Sequence, residues 1–290
     1  MREELSFALD LVQQCMPVAL EYQAGGSRML DLRHKPGNEG PITEADHEIN
    51  RRLVRALEQR FPDDVVLAEE SAHENAHSGG WRRAHRCWHV DPIDGTREFA
   101  RGRTGWTIQM GLCVDGQPVL GVVAEPATER LTWGLVDDGA CIAMQRIGHD
   151  PAQPLPPLPR QRDMAELVLI GGKALPLSRQ HAIRRALRVD GTRTLSAGSV
   201  GVRMVAVARG DADAYAQAPG RTKTWDTCAP EAILRALGAR VTDLRGRPLS
   251  YRGPSPAHPA GVLATSSTLH GPLIERLAPL AARWLSDRSG

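Results

Sequence analysis

Four short stretches of this 290-residue chain carry residue types that can do chemistry. "HENAH" at 73–77 fits H-E-x-x-H, the pattern in which two histidines on one helix face bind Zn2+ beside a glutamate base. "LAEES" at 67–71 ends an apolar run on the paired carboxylates Glu69 and Glu70. "DPIDGTREF" at 91–99 places Asp91 and Asp94 three residues apart, and "WDTCAPEAILRALGA" at 225–239 contributes Asp226. Carboxylates are hard oxygen donors suited to Mg2+-class cations. The chain therefore offers a zinc reading and a hard-metal reading side by side.

The zinc reading needs a helix and a third ligand. The longer stretch "HENAHSGGWRR" has Arg83 where a third histidine would stand, and arginine stays protonated. Ser78-Gly79-Gly80 ends any helix at once, and few apolar residues are present to pack one. The plainer reading of 73–77 is a polar surface loop.

The 91–99 stretch is richer. Asp91 follows the apolar "RCWHV", and Pro92 holds it in extended geometry. Asp94 lies within a tight turn of it, so both carboxylates can meet one cation. Gly95 permits close backbone approach. Thr96-Arg97-Glu98-Phe99 reads as a first helical turn, whose free N–H groups suit a phosphate. An isolated D-P-x-D would be an ordinary turn before a capped helix; the Gly-Thr and the preceding strand favour a site. Asp226 stands at the start of a helix with Ala229, Ala232, Ile233 and Leu237 on one face, where capping the helix and binding a metal are compatible roles.

The elements that must position these residues are legible in outline. Leu5, Leu9, Val12, Met16 and Ala19 predict an amphipathic helix that ends before Gly25-Gly26. "TEADHEINRRLVRALEQRF" predicts a second, with Thr43-x-x-Asp46 in the form of a capping box. "DVVLA" and "RCWHV" read as strands. "WTIQMGLCV" and "VLGVVAEP" pair around an Asp115-Gly116 turn, and "RLTWGLVD" and "DDGACIAM" extend the β-rich section. "PAQPLPPLP" at 151–159 reads as extended chain and a domain junction, dividing an α+β part (1–150) from an α/β part (151–290).

Composition narrows the class. The net charge of +2 gives no electrostatic case for a nucleic-acid polymer as partner. The five cysteines are scattered without C-x-x-C, which fits a reducing cytoplasm better than a disulfide framework. No apolar run reaches membrane-spanning length, and the N-terminus is too acidic for a signal peptide. A cytoplasmic small-molecule enzyme is expected.

"DPIDGTREF" and "WDTCAPEAILRALGA" together resemble the two signature segments of the inositol monophosphatase superfamily, D-P-[IL]-D-G-T-x-x-F and W-D-x-[AC]-A-x-x-x-[IL]-x-x-x-G. "ITEAD" at 42–46 and "LAEES" resemble two further segments, and all four occur in the family's order. Within the superfamily, "DGTREF", the C-A-P-E of 228–231 and "GDADAYAQAPGRTKTWDT" look most like the 3′(2′),5′-bisphosphate nucleotidases. The resemblance implies an α/β layered sandwich, α-β-α-β-α, with the site between its halves. It implies two or three Mg2+ ions on Glu69, Asp91, Asp94, Asp226 and the Ile93 carbonyl, a hydrogen-bonded Asp46–Thr96 pair by the attacking water, and Gly95 and Thr96 amides on the phosphate. It implies a monomer or homodimer inhibited by Li+. Ala68 replaces the family's glycine before the E-E pair, and "GSVGVRM" replaces a more serine-rich loop.

The expected reaction is removal of the 3′ (or 2′) phosphate from adenosine 3′,5′-bisphosphate by metal-activated water. Arg221 and Lys223 are candidates for a second substrate phosphate or are solvated loop charges. Ser199 and Ser196 are weaker candidates for ribose or base contact. Competing expectations are an inositol-1-phosphate or other sugar-phosphate phosphatase, a non-catalytic phosphate-ligand binder, and the zinc protease.

Overall fold

The computed structural model describes residues 1–35, 40–72, 79–137, 140–158, 163–172, 177–220 and 222–286. His73, Glu74 and His77 of the zinc pattern, and Arg221, lie outside the described residues.

Five layers alternate. Helices α1 (Arg2–Gly25) and α2 (Glu44–Arg60) cover one face of a seven-stranded sheet. Its strands, in spatial and chain order alike, are β1 (Val65–Ala68), β2 (Arg86–Asp94), β3 (Thr107–Val114), β4 (Gln117–Glu125), β5 (Arg130–Asp137), β6 (Ala140–Ile147) and β7 (Gln153–Pro154). The β1–β2 pair is parallel and the rest are antiparallel. The sheet's other face packs on helices α5 (Val200–Arg209) and α6 (Thr224–Ala236). Beyond them lies a five-stranded mixed sheet of β8 (Leu169–Gly172), β9 (Thr194–Ala197), β10 (Ala214–Gln217), β11 (Arg240–Thr242) and β12 (Val262–Thr265), in the order β9-β8-β10-β12-β11. Helices α4 (Leu177–Leu187) and α7 (Ser267–Ser286) close the outside. The layered α/β sandwich is the expected one.

Strand alternation builds the layers. In β3, Ile108, Met110 and Leu112 enter the core under α1 and α2, while Thr107, Gln109, Gly111 and Cys113 face α5 and α6. In β10, Tyr215 faces the central helices and Ala214 and Ala216 face α7. Asp115 and Gly116 both have positive φ (50° and 74°), the geometry of a type I′ hairpin between β3 and β4. The proline-rich stretch is extended, as expected, and part of it is also paired. Gln153–Pro154 pairs as the edge strand with β6, and Leu155 is buried with its N–H on Ala143 O at 2.9 Å. Proline tolerates an edge because no ladder bond is asked of its nitrogen.

A row of glycines sets the depth of the central layer. Gly111, Gly121 and Gly134 lie opposite one another on β3, β4 and β5. A Cβ on Gly121 would stand 2.0 Å from Ala229 O, and one on Gly111 or Gly134 would stand 2.6 Å from α6 backbone. Three neighbouring strands thus present bare backbone along which α6 lies, meeting it with Ala229, Ala232 and Ile233. No helix among the described residues is long and apolar enough to cross a membrane.

Gly121→Ala should therefore destabilise the protein by roughly 3 kcal/mol through overpacking. Gly171→Ala, where no atom lies within 4 Å of the added carbon, should leave stability near wild type. Denaturant unfolding of both variants checks this.

Candidate active site

Each acidic residue reaches the cleft for a local reason. Thr43 caps α2 in the expected capping box: its hydroxyl accepts from Asp46 N at 3.4 Å, and Asp46 Oδ2 accepts from Thr43 N at 2.8 Å. Asp46 is buried at the third helical position, and its other oxygen accepts from Thr96 Oγ1 at 3.2 Å. Glu69 and Glu70 open a single 3-10 turn where β1 ends. Asp91 lies inside β2 rather than just after it, because the strand continues to Asp94 through a register shift between the two. That irregularity brings two carboxylates three residues apart to one side of the strand end.

Asp226 also sits differently from a simple cap. Lys223 is the N-cap, and Asp226 is the third helical residue, with Oδ2 accepting from Lys223 N at 2.7 Å. Asp94 Oδ2 is held by Gln109 Nε2 and by the Gly201 amide in the first turn of α5, both at 2.7 Å. The seven-stranded sheet, α5 and α6 thus meet at one point.

Carboxylate oxygens of Asp91, Asp94 and Asp226 lie within 4.8 Å of one another. Glu69 lies outside this 4.8 Å group but near enough for its charge to act on all three aspartates; its Oε1 is bonded to Lys35 Nζ at 2.7 Å, and Glu70 Oε1 takes the same ammonium at 2.6 Å. Burial raises the Asp91 pKa well above the usual range, and the charges of Glu69, Asp94 and Asp226 add to it. Asp226 is raised likewise by burial and by Asp94 and Glu69. Asp94 rises only to about 6, since the Gly201 amide and the Arg203 charge pull against its burial. Burial also carries Asp46 to about 7 against its Thr43 bonds, and Glu70 to about 8 with help from Glu69.

This donor set fits a divalent cation. Carboxylates crowded and desolvated together must hold protons unless positive charge replaces them. All-oxygen donors favour a hard ion. Lys35 is the cation that Glu69 and Glu70 share here, so a metal at Glu69 contends with it. Lys35 itself feels burial, which lowers its pKa, but the two glutamates outweigh this and raise it.

The remaining expected residues fall around the cluster. The Ile93 carbonyl accepts from Thr96 Oγ1 at 3.2 Å and keeps a second lone pair. Gly95 has φ 96°, and a Cβ there would stand 3.1 Å from Ser199 Cβ and 3.2 Å from Gly105 O. Ser199 lies against this turn, but its hydroxyl accepts from Val202 N at 3.0 Å as the cap of α5. Ser196 is on β9, exposed. Lys223 is part-buried at the start of α6, with Nζ 6.0 Å from the Trp225 ring centre. Sequence reasoning passed over Lys35 and Gln109. Lys35 had one signal, a lone lysine in a Gly/Pro loop just before the Thr43 cap; Gln109 had none, since only strand pairing carries it to Asp94.

Comparison with known proteins identifies the family. The model of the inositol monophosphatase family matches residues 1–281. The 3′(2′),5′-bisphosphate nucleotidase CysQ of Escherichia coli (strain K12) is 33% identical over 240 residues, 78% of this chain and 85% of that protein. A 3′-phosphoadenosine 5′-phosphate phosphatase of Mycobacterium bovis is 30% identical over 250 residues, 81% of this chain and 82% of that protein. Among solved structures, the Thermotoga maritima IMPase superposes with a TM-score of 0.76 at 20% identity, over 98% of this chain and 99% of its own. The chain belongs to the inositol monophosphatase family and is a phosphatase of phosphomonoesters.

Proposed function

We propose that this phosphatase removes the 3′ (or 2′) phosphate of adenosine 3′,5′-bisphosphate, giving AMP and phosphate, with Mg2+ as its metal. The observation that carries the reading is the convergence of Asp91, Asp94 and Asp226 within 4.8 Å, near Glu69, on a chain whose relatives bear that substrate's name. Glu69, Asp91, Asp94, Asp226 and the Ile93 carbonyl are the groups that would hold the metal. Bound Mg2+ would supply Lewis-acid neutralisation of the phosphoryl oxygens and activation of a water.

The chain's own groups set the rest. Thr96 has one hydroxyl proton to donate, with Asp46 Oδ1 and the Ile93 carbonyl both 3.2 Å away as acceptors, and its oxygen lone pairs are left to orient the attacking water. Asp46, raised to about 7, can take a proton near neutral pH. The Gly95 and Thr96 amides hold the scissile phosphate, and Gly95 is needed there because a side chain would collide with Ser199 and Gly105. Lys223, at the start of the helix that carries Asp226, is our candidate for the second phosphate of a bisphosphate nucleotide.

A phosphate-release assay over adenosine 3′,5′-bisphosphate, inositol 1-phosphate and other sugar phosphates, with Mg2+ added or chelated, tests the proposal. Preference for inositol 1-phosphate would overturn the substrate but leave the chemistry. Asp91→Asn should lower kcat by about 10³-fold or more, roughly 4 kcal/mol of transition-state stabilisation. Lys223→Ala should raise KM about 10-fold for the bisphosphate nucleotide and change it little for a monophosphate, a difference of about 1.4 kcal/mol.

Metal removal has a pH signature. Asp46 and Asp94, raised from 3.8 to about 7 and about 6, bind protons in the folded chain that the unfolded chain releases. Their stabilisation is complete below the unfolded carboxylate pKa and is lost as pH rises through those values. In chelator, Tm should fall between about pH 4 and about pH 8, with Glu70, raised to about 8, extending the upper end, and saturating Mg2+ should remove the share of that slope carried by the metal ligands. Glu231, buried beside Tyr251 and raised to about 7, leaves a residue of it. A slope indifferent to Mg2+ would count against the cluster as the metal site.

A further inference from the structure

The seven-stranded sheet and α6 enclose a second set of metal-ligating side chains, which the phosphatase chemistry does not use. Cys113 on β3 and Cys228 on α6 are buried, with their sulfurs 3.5 Å apart. A ring nitrogen of the fully buried His89 on β2 lies within 4.8 Å of both. His89 Nδ1 is 3.0 Å from Thr224 Oγ1, whereas Nε2 is buried with no hydrogen-bond partner among the described residues. A buried polar atom left in this state costs free energy unless something fills its valence.

We propose that His89, Cys113 and Cys228 form a second metal site, for one thiophilic d10 cation of the Zn2+ class. The donors decide the metal: two thiols and an imidazole favour a soft or borderline ion, while the carboxylate cluster nearby favours a hard one. Spacing agrees. Zinc–sulfur bonds of about 2.3 Å at a tetrahedral angle separate two sulfurs by about 3.8 Å, a few tenths of an ångström beyond the present contact. With Nδ1 protonated, Thr224 Oγ1 accepts from it and Nε2 keeps its lone pair, the outer partner that metal-bound histidines have. Cys87 stands directly opposite Cys113 in the β2–β3 ladder, outside the group of donor atoms that lie within 4.8 Å of one another. The thiols lose their protons to solvent as the ion binds, with no change of oxidation state.

The site is independent of the phosphatase reading but adjoins it. His89 precedes Asp91 by two residues on β2, and Cys228 follows Asp226 by two on α6. A soft cation here pins together the strand and helix whose carboxylates must converge. It is separate from the 73–77 pattern.

The test uses the full chain carrying Cys141→Ser, which removes the exposed thiol. Metal is stripped with chelator and Co2+ is added in excess Mg2+, both to native protein and during refolding. The expected result is one Co2+ retained per chain, a thiolate-to-cobalt charge-transfer band, tetrahedral visible bands, and bleaching by Zn2+. The band should weaken in Cys113→Ser and in Cys228→Ser, vanish in the double variant, and persist in Asp91→Asn. Circular dichroism identifies the variants that fold, and only those are compared. Absence of the band by both loading routes, or its survival in the folded double variant, overturns the proposal. Should neither serine variant fold, a band of unit stoichiometry that persists in Asp91→Asn supports it.

Discussion

The site depends on how closely one helix can lie against one sheet. Asp226 comes from α6, whereas Asp91 and Asp94 come from the end of β2, and no local geometry joins them. What joins them is the bare row of Gly111, Gly121 and Gly134, on which Ala229, Ala232 and Ile233 settle with backbone nearly touching backbone. A methyl anywhere along that row would lift the helix and carry Asp226 away from its partners. Close packing here does two things at once, since the same contact forms the central core and sets the carboxylate spacing.

The electrostatic cost of that spacing falls on the same residues. Burial raises Asp46, Asp91, Asp94 and Asp226 together, and mutual repulsion raises them further. The fold answers part of the cost itself, with the Gly201 amide and Gln109 on Asp94, the Lys223 amide on Asp226 and the Lys35 ammonium on Glu69. Each of these partners binds a single oxygen of its carboxylate. A site satisfied in this partial way is held in shape while its net negative charge still favours a cation. Helix starts matter in this arrangement: α2 and α6 each use an aspartate at the third position to cap the backbone and direct a second oxygen elsewhere.

Much of the site was legible in the sequence because its parts are local. Asp91 and Asp94 share a strand end, Thr43-x-x-Asp46 announces a capped helix, and Asp226 stands in an apolar-faced helix. Glu69 was identified over Glu74 by its place at a strand end, and the structure puts Glu69 near the triad. Less was legible where a role depends on a distant neighbour. Ser199 has the type of a substrate contact, yet its hydroxyl serves the backbone of its own helix. Lys35 lies in a loop with no periodicity, and its pairing with Glu69 and Glu70 arises only when β1 ends beside it.

By itself the sequence determined many of the local conformations, since side-chain periodicity and turn residues act within a few positions, while the order of the layers followed only from the family resemblance. Period-two alternation in β2 to β5, the Asp115-Gly116 turn and the apolar faces of α1, α2 and α6 were all readable in this way. Only the tertiary structure decided which glycines form one continuous track, that Lys35 joins Glu69 and Glu70, and that His89, Cys113 and Cys228 meet. Those are contacts between residues far apart in the chain, settled by register and by how near two backbones can come.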